Sequence, residues 1–225
     1  MSSTDAPGAY ESYDRSRIDR GGQAEAFDAI GDRYDEAFPH KEGQLVSGGW
    51  LAGSLPEGSR VLDIGCGTGL PTARQLAEAG HSVLGVDLSD EMVRIASAEV
   101  PQAEFRVMDL ADLESAGLGT FDGIAAFFSL LMLPKDEIPV ALRMVHGLMR
   151  PGGLLALSMV EADVDDCTIP FLGNSIRVSG YLREELRALV EEAGLEVETE
   201  DAYSFAPATS EVAPEIQLFL NCRRP

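Results

Sequence analysis

The stretch Val61-Leu62-Asp63-Ile64-Gly65-Cys66-Gly67-Thr68-Gly69 decides how this chain is read. Val61, Leu62 and Ile64 make a short apolar run, Asp63 interrupts it with a carboxylate, and three glycines at alternate positions end it. A buried strand that runs into glycines makes a turn whose backbone a ligand can approach closely, because no Cβ stands in the way. The segment that follows carries Leu70, Ala73, Leu76 and Ala77 on one face and stops at Gly80, the usual residue just past a helix end. The order is therefore strand, glycine turn, helix.

Working outward, the same alternation recurs. Apolar runs at 60–64, 82–87, 103–108, 121–128 and 154–160 are rich enough to be covered on both faces, as parallel strands are, and amphipathic stretches fill the gaps between them. Ser89 is a natural N-cap, with Asp90 and Glu91 complementing the helix dipole in the first turn. Ile138, Ala141, Leu142, Val145 and Met149 form a further helical stripe, ended by Pro151-Gly152-Gly153. Ahead of this core, residues 24–55 hold two helical patterns, the first with Phe27, Ile30 and Tyr34, and residues 1–22 read as a mobile arm rich in Ser, Gly, Asp and Arg.

Beyond Val160 the pattern changes. Glu161, Asp163, Asp165 and Asp166 head a stretch to residue 179 that reads as a long loop, followed by a helix at 181–193. Two strands close the chain, one with Leu195, Val197 and Thr199 alternating with glutamates, the other with Ile216, Leu218, Leu220 and Cys222 on one face. The turn-rich segment 206–214 between them makes an antiparallel pair at one sheet edge the expectation.

The 225 residues suffice for one sizeable core, and 17 basic against 38 acidic residues leave a net charge of −21. Such a surface repels phosphate backbones and anionic membranes, so neither nucleic acid nor a membrane is an expected partner. The cysteines Cys66, Cys167 and Cys222 are odd in number and lack C-x-x-C spacing, which gives neither a disulfide framework nor a zinc site and fits a reducing cytoplasm. No run of about 18 apolar residues and no signal-peptide pattern occurs, so a soluble protein that stays where it is made is expected.

Three details narrow the ligand of the glycine turn. Leu70 stands where a dinucleotide fingerprint requires a small residue, and Asp63 sits where a pyrophosphate would be repelled. Acids recur at the ends of the next two strands, Asp87 in Val86-Asp87-Leu88-Ser89 and Asp109 in Val107-Met108-Asp109-Leu110. These strand ends share the carboxyl edge of the sheet, where open α/β folds bind ligands. Asp87 suits the two hydroxyls of a ribose and Asp109 an adenine amino group, so the ligand implied has adenosine, a cationic end and no phosphate.

On these residues the chain resembles the class I S-adenosylmethionine-dependent methyltransferases, from about Tyr34 to Val160. The resemblance lies in D-I-G-C-G-T-G, in V-D-L-S at 86–89 followed by Met92, in M-D-L at 108–110, in F-D-G-I at 121–124 and in R-P-G-G at 150–153. Tyr34-Asp35 resembles the Y-D of small-molecule members similar to quinone-biosynthesis methyltransferases. The resemblance implies an α/β, Rossmann-like three-layer sandwich with a seven-stranded, mainly parallel sheet, its last strand antiparallel, under an N-terminal helical lid. It implies a single methyltransferase domain over 23–225, with N-terminal helices at 23–58, a cofactor core at 59–160, and a substrate loop, helix and strand pair at 161–225.

The same resemblance implies S-adenosyl-L-methionine as cofactor. It puts Gly65, Cys66, Gly67 and Gly69 along the methionine portion, Asp87 and Leu88 at the ribose, Met92 beside the adenine, and Met108, Asp109 and Leu110 at the base, while Asp63 is placed either to hold the turn or to receive the ligand's ammonium group. Tyr34, Phe127 and Phe128 fall near the methyl group. If a catalytic base exists, His40 is the first candidate, with Tyr34 beside it, while His81 reads as a surface residue and His146 as structural. No metal is expected, because Phe127-Phe128-Ser129 stands where metal-assisted members carry acids. The apolar segments Phe127 to Leu133 and Ile169-Pro170-Phe171-Leu172 suit a small, neutral or cationic acceptor with a hydrophobic body. Two rival readings stay open from sequence, a nicotinamide-dependent oxidoreductase and a non-catalytic cofactor-binding protein of the same fold. Monomer and homodimer are equally open.

Overall fold

The computed structural model describes residues 20–39, 41–206 and 214–225. Three helices lead the described residues, α1 (Arg20–Ile30), α2 (Arg33–Ala37) and α3 (Glu42–Ser54). The two helical patterns expected before residue 55 are thus three helices, broken at Gly31, whose φ of 50° ends α1. α1 begins at Arg20, inside the stretch read as an arm, and residues 1–19 of that arm lie outside the described residues.

The core then alternates β1 (Arg60–Ile64), α4 (Thr72–Glu78), β2 (Ser82–Asp87), α5 (Asp90–Glu99), β3 (Glu104–Val107), β4 (Phe121–Phe127), α6 (Ile138–Leu148) and β5 (Met149–Val160). Ser89 caps α5 as its sequence position predicts, its Oγ accepting from Met92 N at 3.1 Å. Met149, expected on the helix, opens β5 and pairs with Phe121. The last elements are β6 (Val164–Phe171), β7 (Asn174–Gly180), α7 (Arg183–Glu192), β8 (Glu196–Phe205) and β9 (Glu215–Arg223).

Seven strands form one sheet in the order β3-β2-β1-β4-β5-β9-β8, with β9 antiparallel to β5 and β8 antiparallel to β9. Successive residues of each strand face opposite layers. Leu62, Ile64, Leu84, Val86, Leu155 and Leu157 pack under α6 and α7, while Val61, Val83, Ala125, Leu154 and Ala156 pack under α3 and α4. The expected face of β9 holds for Leu218, Leu220 and Cys222, but Ile216 is exposed.

The stretch 161–179 is not a loop. β6 and β7 pair as a separate antiparallel hairpin, Ile169 opposite Ile176, and its apolar residues Phe171, Leu172 and Ile176 join Ala26, Ile30 and Phe38 in a third apolar cluster above the sheet edge. Every acid of the supposed loop is engaged: Glu161 with Arg183, Asp163 and Asp165 with Lys135, Asp166 with Arg177. Charge in the sequence concealed a strand pair because its polar side chains bind one another across the hairpin and its neighbours. No helix among the described residues is long and apolar enough to cross a membrane.

Candidate functional site

The strand order reverses between β1 and β4, and there the sheet opens at the carboxyl ends of its parallel strands, the place where such folds hold ligands. A cavity of about 270 Å³ lies there. Its floor is the glycine turn after β1, the ends of β2 and β3 and the segment after β4; its roof is α1, α2 and the β6–β7 hairpin.

The glycine turn is shaped by its own backbone. Gly65 N and Cys66 N both donate to Val86 O, at 2.8 and 3.0 Å, which folds the chain back over β2. Gly65 has φ 69°, and a Cβ built on it would stand 2.5 Å from Ser129 Cβ, so no other residue fits there without displacing the segment after β4. A Cβ on Gly67 would meet nothing within 4 Å: this glycine faces open space. Gly69 lies elsewhere, packed against Ala96 of α5 and Val100 just past its end, away from the cavity wall.

Asp87 ties the turn together, its Oδ2 accepting from Gly67 N at 2.9 Å and its Oδ1 from Ser89 N at 3.0 Å. Burial pushes its carboxyl up, while these backbone donors pull it back. Asp63 sits behind the turn, outside the lining, 2 % exposed and with its Oδ2 left without a hydrogen-bond partner. Burial first, and the charge of Asp87 second, push its carboxyl up to about 7. Cys66 lines the cavity with a buried thiol that burial holds protonated, which leaves it no nucleophilic character.

Of the other residues singled out from sequence, Tyr34, Leu88, Met92, Met108, Asp109, Leu110 and Phe127 all line this cavity. Asp109 Oδ1 accepts from Ala111 N at 2.8 Å and so also caps the turn after β3. Tyr34 is held among rings, 5.1 Å from Phe38 and 6.3 Å from Phe171, and its phenol is pushed up by burial and by the charges of Asp35, Glu215 and Asp87. The phenol is thereby held in its protonated form. His40 lies outside the described residues. His81 is buried, against the expectation of a surface residue, with Nε2 2.9 Å from Ala52 O. His146 is partly buried and its imidazole is pushed down by burial and by Arg224.

The residues that line the cavity fit an adenosine-bearing cation. The hydroxyls of Thr68 and Ser129 are buried on its wall with no hydrogen-bond partner, a state that a polar ligand relieves. Glycine gives backbone access, the acids end successive strands, and Met92 and Met108 supply flat apolar contact. A family described as methyltransferase domain matches residues 10–200. The chain belongs to that family. Its fold is that of the class I S-adenosylmethionine-dependent methyltransferases: the magnesium protoporphyrin IX methyltransferase of Synechocystis PCC 6803, solved with bound S-adenosylmethionine, superposes with a TM-score of 0.69 at 19% identity over 95% of this chain and 100% of that one. The Burkholderia thailandensis 1,6-didemethyltoxoflavin-N1-methyltransferase, solved with that substrate and S-adenosylhomocysteine, gives a TM-score of 0.68 at 22% identity over 98% of this chain and 92% of that one. In sequence, the methyltransferase domain is 34% identical over 110 residues to the ubiquinone biosynthesis O-methyltransferase of Xanthomonas axonopodis pv. citri, covering 47% of this chain and 45% of the relative. It is 32% identical over 127 residues to the putative methyltransferase YqeM of Bacillus subtilis, covering 54% and 50%. The chain thus matches about half the length of these curated relatives.

Sequence reasoning passed over several residues of this cavity. Gln23, Lys41, Gln44, Glu215 and Gln217 line it from α1, α3 and its approach, and β9. The alternation along β9 held a signal for two of them, since Glu215 and Gln217 fall on the face opposite Leu218 and Leu220. Phe128, expected beside Phe127 near the methyl group, lines the cavity as well. Its φ of 54° is a strained value for an aromatic residue, of a kind that costs on the order of 1–3 kcal/mol and gathers at ligand sites.

Proposed function

We propose that this protein transfers a methyl group from S-adenosylmethionine to a small organic acceptor. The observation that carries this reading is one continuous cavity that joins a glycine turn and two strand-end acids to an aromatic chamber roofed by α1, α2 and the hairpin. Gly65, Cys66 and Gly67 line the methionine portion, Asp87 and Leu88 take the ribose, and Met92, Met108, Asp109 and Leu110 enclose the base. Asp63 acts from behind the turn, where its charge favours a cationic ligand, and Gly69 acts by letting α5 approach.

Bound S-adenosylmethionine supplies an electrophilic methyl group. What this chain contributes is enclosure and orientation: Tyr34, Phe127, Phe128 and Phe171 wall the chamber with apolar surface, exclude water and hold an acceptor in line. Tyr34, kept protonated by its surroundings, donates a hydrogen bond. His40 is the residue we assign as base for acceptors that must lose a proton. With three free cysteines and a net charge of −21, we place the protein in the reducing cytoplasm, acting on a small molecule and not on nucleic acid.

The test is a screen of phenols, amines, carboxylates and bulk RNA for release of S-adenosylhomocysteine. Turnover of a small molecule is expected. Methylation of RNA with silence on every small molecule would overturn the reading.

A further inference from the structure

The cavity is longer than its adenosine end needs. It runs along the sheet edge from Asp109, after β3, to Glu215, at the start of β9. β9 is antiparallel, so its first residues lie at the carboxyl edge of the parallel strands, with Gln217 opposite Val160. Four strand spacings separate β2 from β9, about 19 Å at ~4.8 Å each. Asp87 and Glu215 therefore mark opposite ends of one chamber.

The far end is built around a carboxylate. Glu215 lines the cavity half-buried, and its Oε1 accepts from Gln217 Nε2 at 2.8 Å, Gln217 itself being 8 % exposed. Around it stand aromatic rings: Phe38 stacks on Phe171 at 5.9 Å and on Phe205 at 5.3 Å, and Phe205 is the residue paired with Glu215 across β8 and β9. Burial pushes the Glu215 carboxyl up, so its charge lacks the solvation that water would give. Lys41 is the sole basic side chain among the described residues that line the cavity, and it is committed to Asp35 and to Leu70 O. A carboxylate beside ring faces, with no free cation opposite among the described residues, is the arrangement that recognises an organic cation.

Resting on the methyl-transfer reading, we propose that Glu215, steadied by Gln217, determines acceptor specificity by pairing with a protonated amine of a small molecule whose apolar body lies against Tyr34, Phe38 and Phe171. The probes are arylethyl compounds with phenyl, hydroxyphenyl and indolyl bodies, each as amine, alcohol and carboxylate, titrated calorimetrically into protein loaded with S-adenosylhomocysteine. The amines bind more tightly than their alcohols, and the carboxylates do not bind. Glu215→Gln keeps the shape and the Gln217 contact; it lowers amine affinity about 10- to 150-fold, the worth of a charge-assisted hydrogen bond, and leaves alcohol and S-adenosylhomocysteine affinities unchanged. The proposal is overturned if no amine binds the loaded wild type, if carboxylates bind as well as amines, or if the variant keeps the amine-to-alcohol ratio. The wild-type series decides even if the variant misfolds. Failure of the wild type to load with S-adenosylhomocysteine sinks the methyl-transfer reading itself, a result separate from the others.

Discussion

Asp87 does two things with one carboxylate. It offers a charge to the proposed ribose, and it already accepts from Gly67 N and Ser89 N, which hold the glycine turn in place. Asp87→Ala therefore loses cofactor affinity by about 10- to 150-fold, and it also orphans buried donors at about 1–3 kcal/mol of stability. Calorimetric titration and denaturant unfolding read the two effects separately; unchanged affinity in the folded variant would mean that the ribose assignment is wrong. Asp63 carries a pH dependence. Its carboxyl moves from an ordinary 3.8 to about 7 on folding, so the folded state keeps a proton that the unfolded chain has lost. The resulting contribution favours the fold at acid pH and is lost as pH rises through that window. A bound cation reverses the preference and drives the proton off. Binding of S-adenosylmethionine at about pH 6 should release protons, seen as a buffer-dependent heat, and at about pH 8 should not; Asp63→Asn should abolish most of the release.

At the scale of elements, the roof depends on a small number of contacts between segments far apart in sequence. Gln23 on α1 donates to Arg177 O at 2.8 Å and accepts from Arg177 N at 3.1 Å, so one side chain continues the edge of β7. Arg33 at the start of α2 donates to Leu172 O at 2.9 Å in the hairpin turn. Gln23→Ala should loosen the roof by roughly 1–3 kcal/mol, two hydrogen bonds' worth, with little effect on the sheet. Hydrogen exchange is the measurement: residues 164–180 should exchange faster in the variant, while β1, β4 and β5 stay unchanged. In the wild type the same hairpin should exchange more slowly once cofactor and acceptor fill the chamber, and no change on either comparison would remove its role as a cover.

For the whole molecule, a ligand that binds only the folded state stabilises it by mass action. At a hundredfold excess over the dissociation constant S-adenosylmethionine should contribute about 2.7 kcal/mol, which raises the melting temperature by about 5–10 °C for a domain of this size. NAD should leave the melt where it is. Stabilisation by NAD alone would return the chain to the oxidoreductase reading, and the assay needs only purified protein and a dye.

Strand and helix identity in the core followed from local chemistry: β1 and β2 begin and end at the residues where their apolar runs do, Ser89 caps α5, and the glycines after Ile64 turn the chain because only they tolerate the backbone there. The acids at the ends of β2 and β3 were legible for the same reason, since parallel strands put their carboxyl ends at one edge whatever the packing around them. The roof was not legible. Residues 161–179 carry too much charge to read as strands, and they become strands only because Arg177 meets Asp166 across the hairpin, Lys135 and Arg183 arrive from elsewhere to meet the other acids, and α1 arrives to cover Phe171 and Ile176. The acceptor end of the cavity belongs to the same class. That Glu215 faces the chamber Asp87 faces follows from β9 being inserted antiparallel beside β5, a pairing between residues about sixty positions apart that no local pattern encodes.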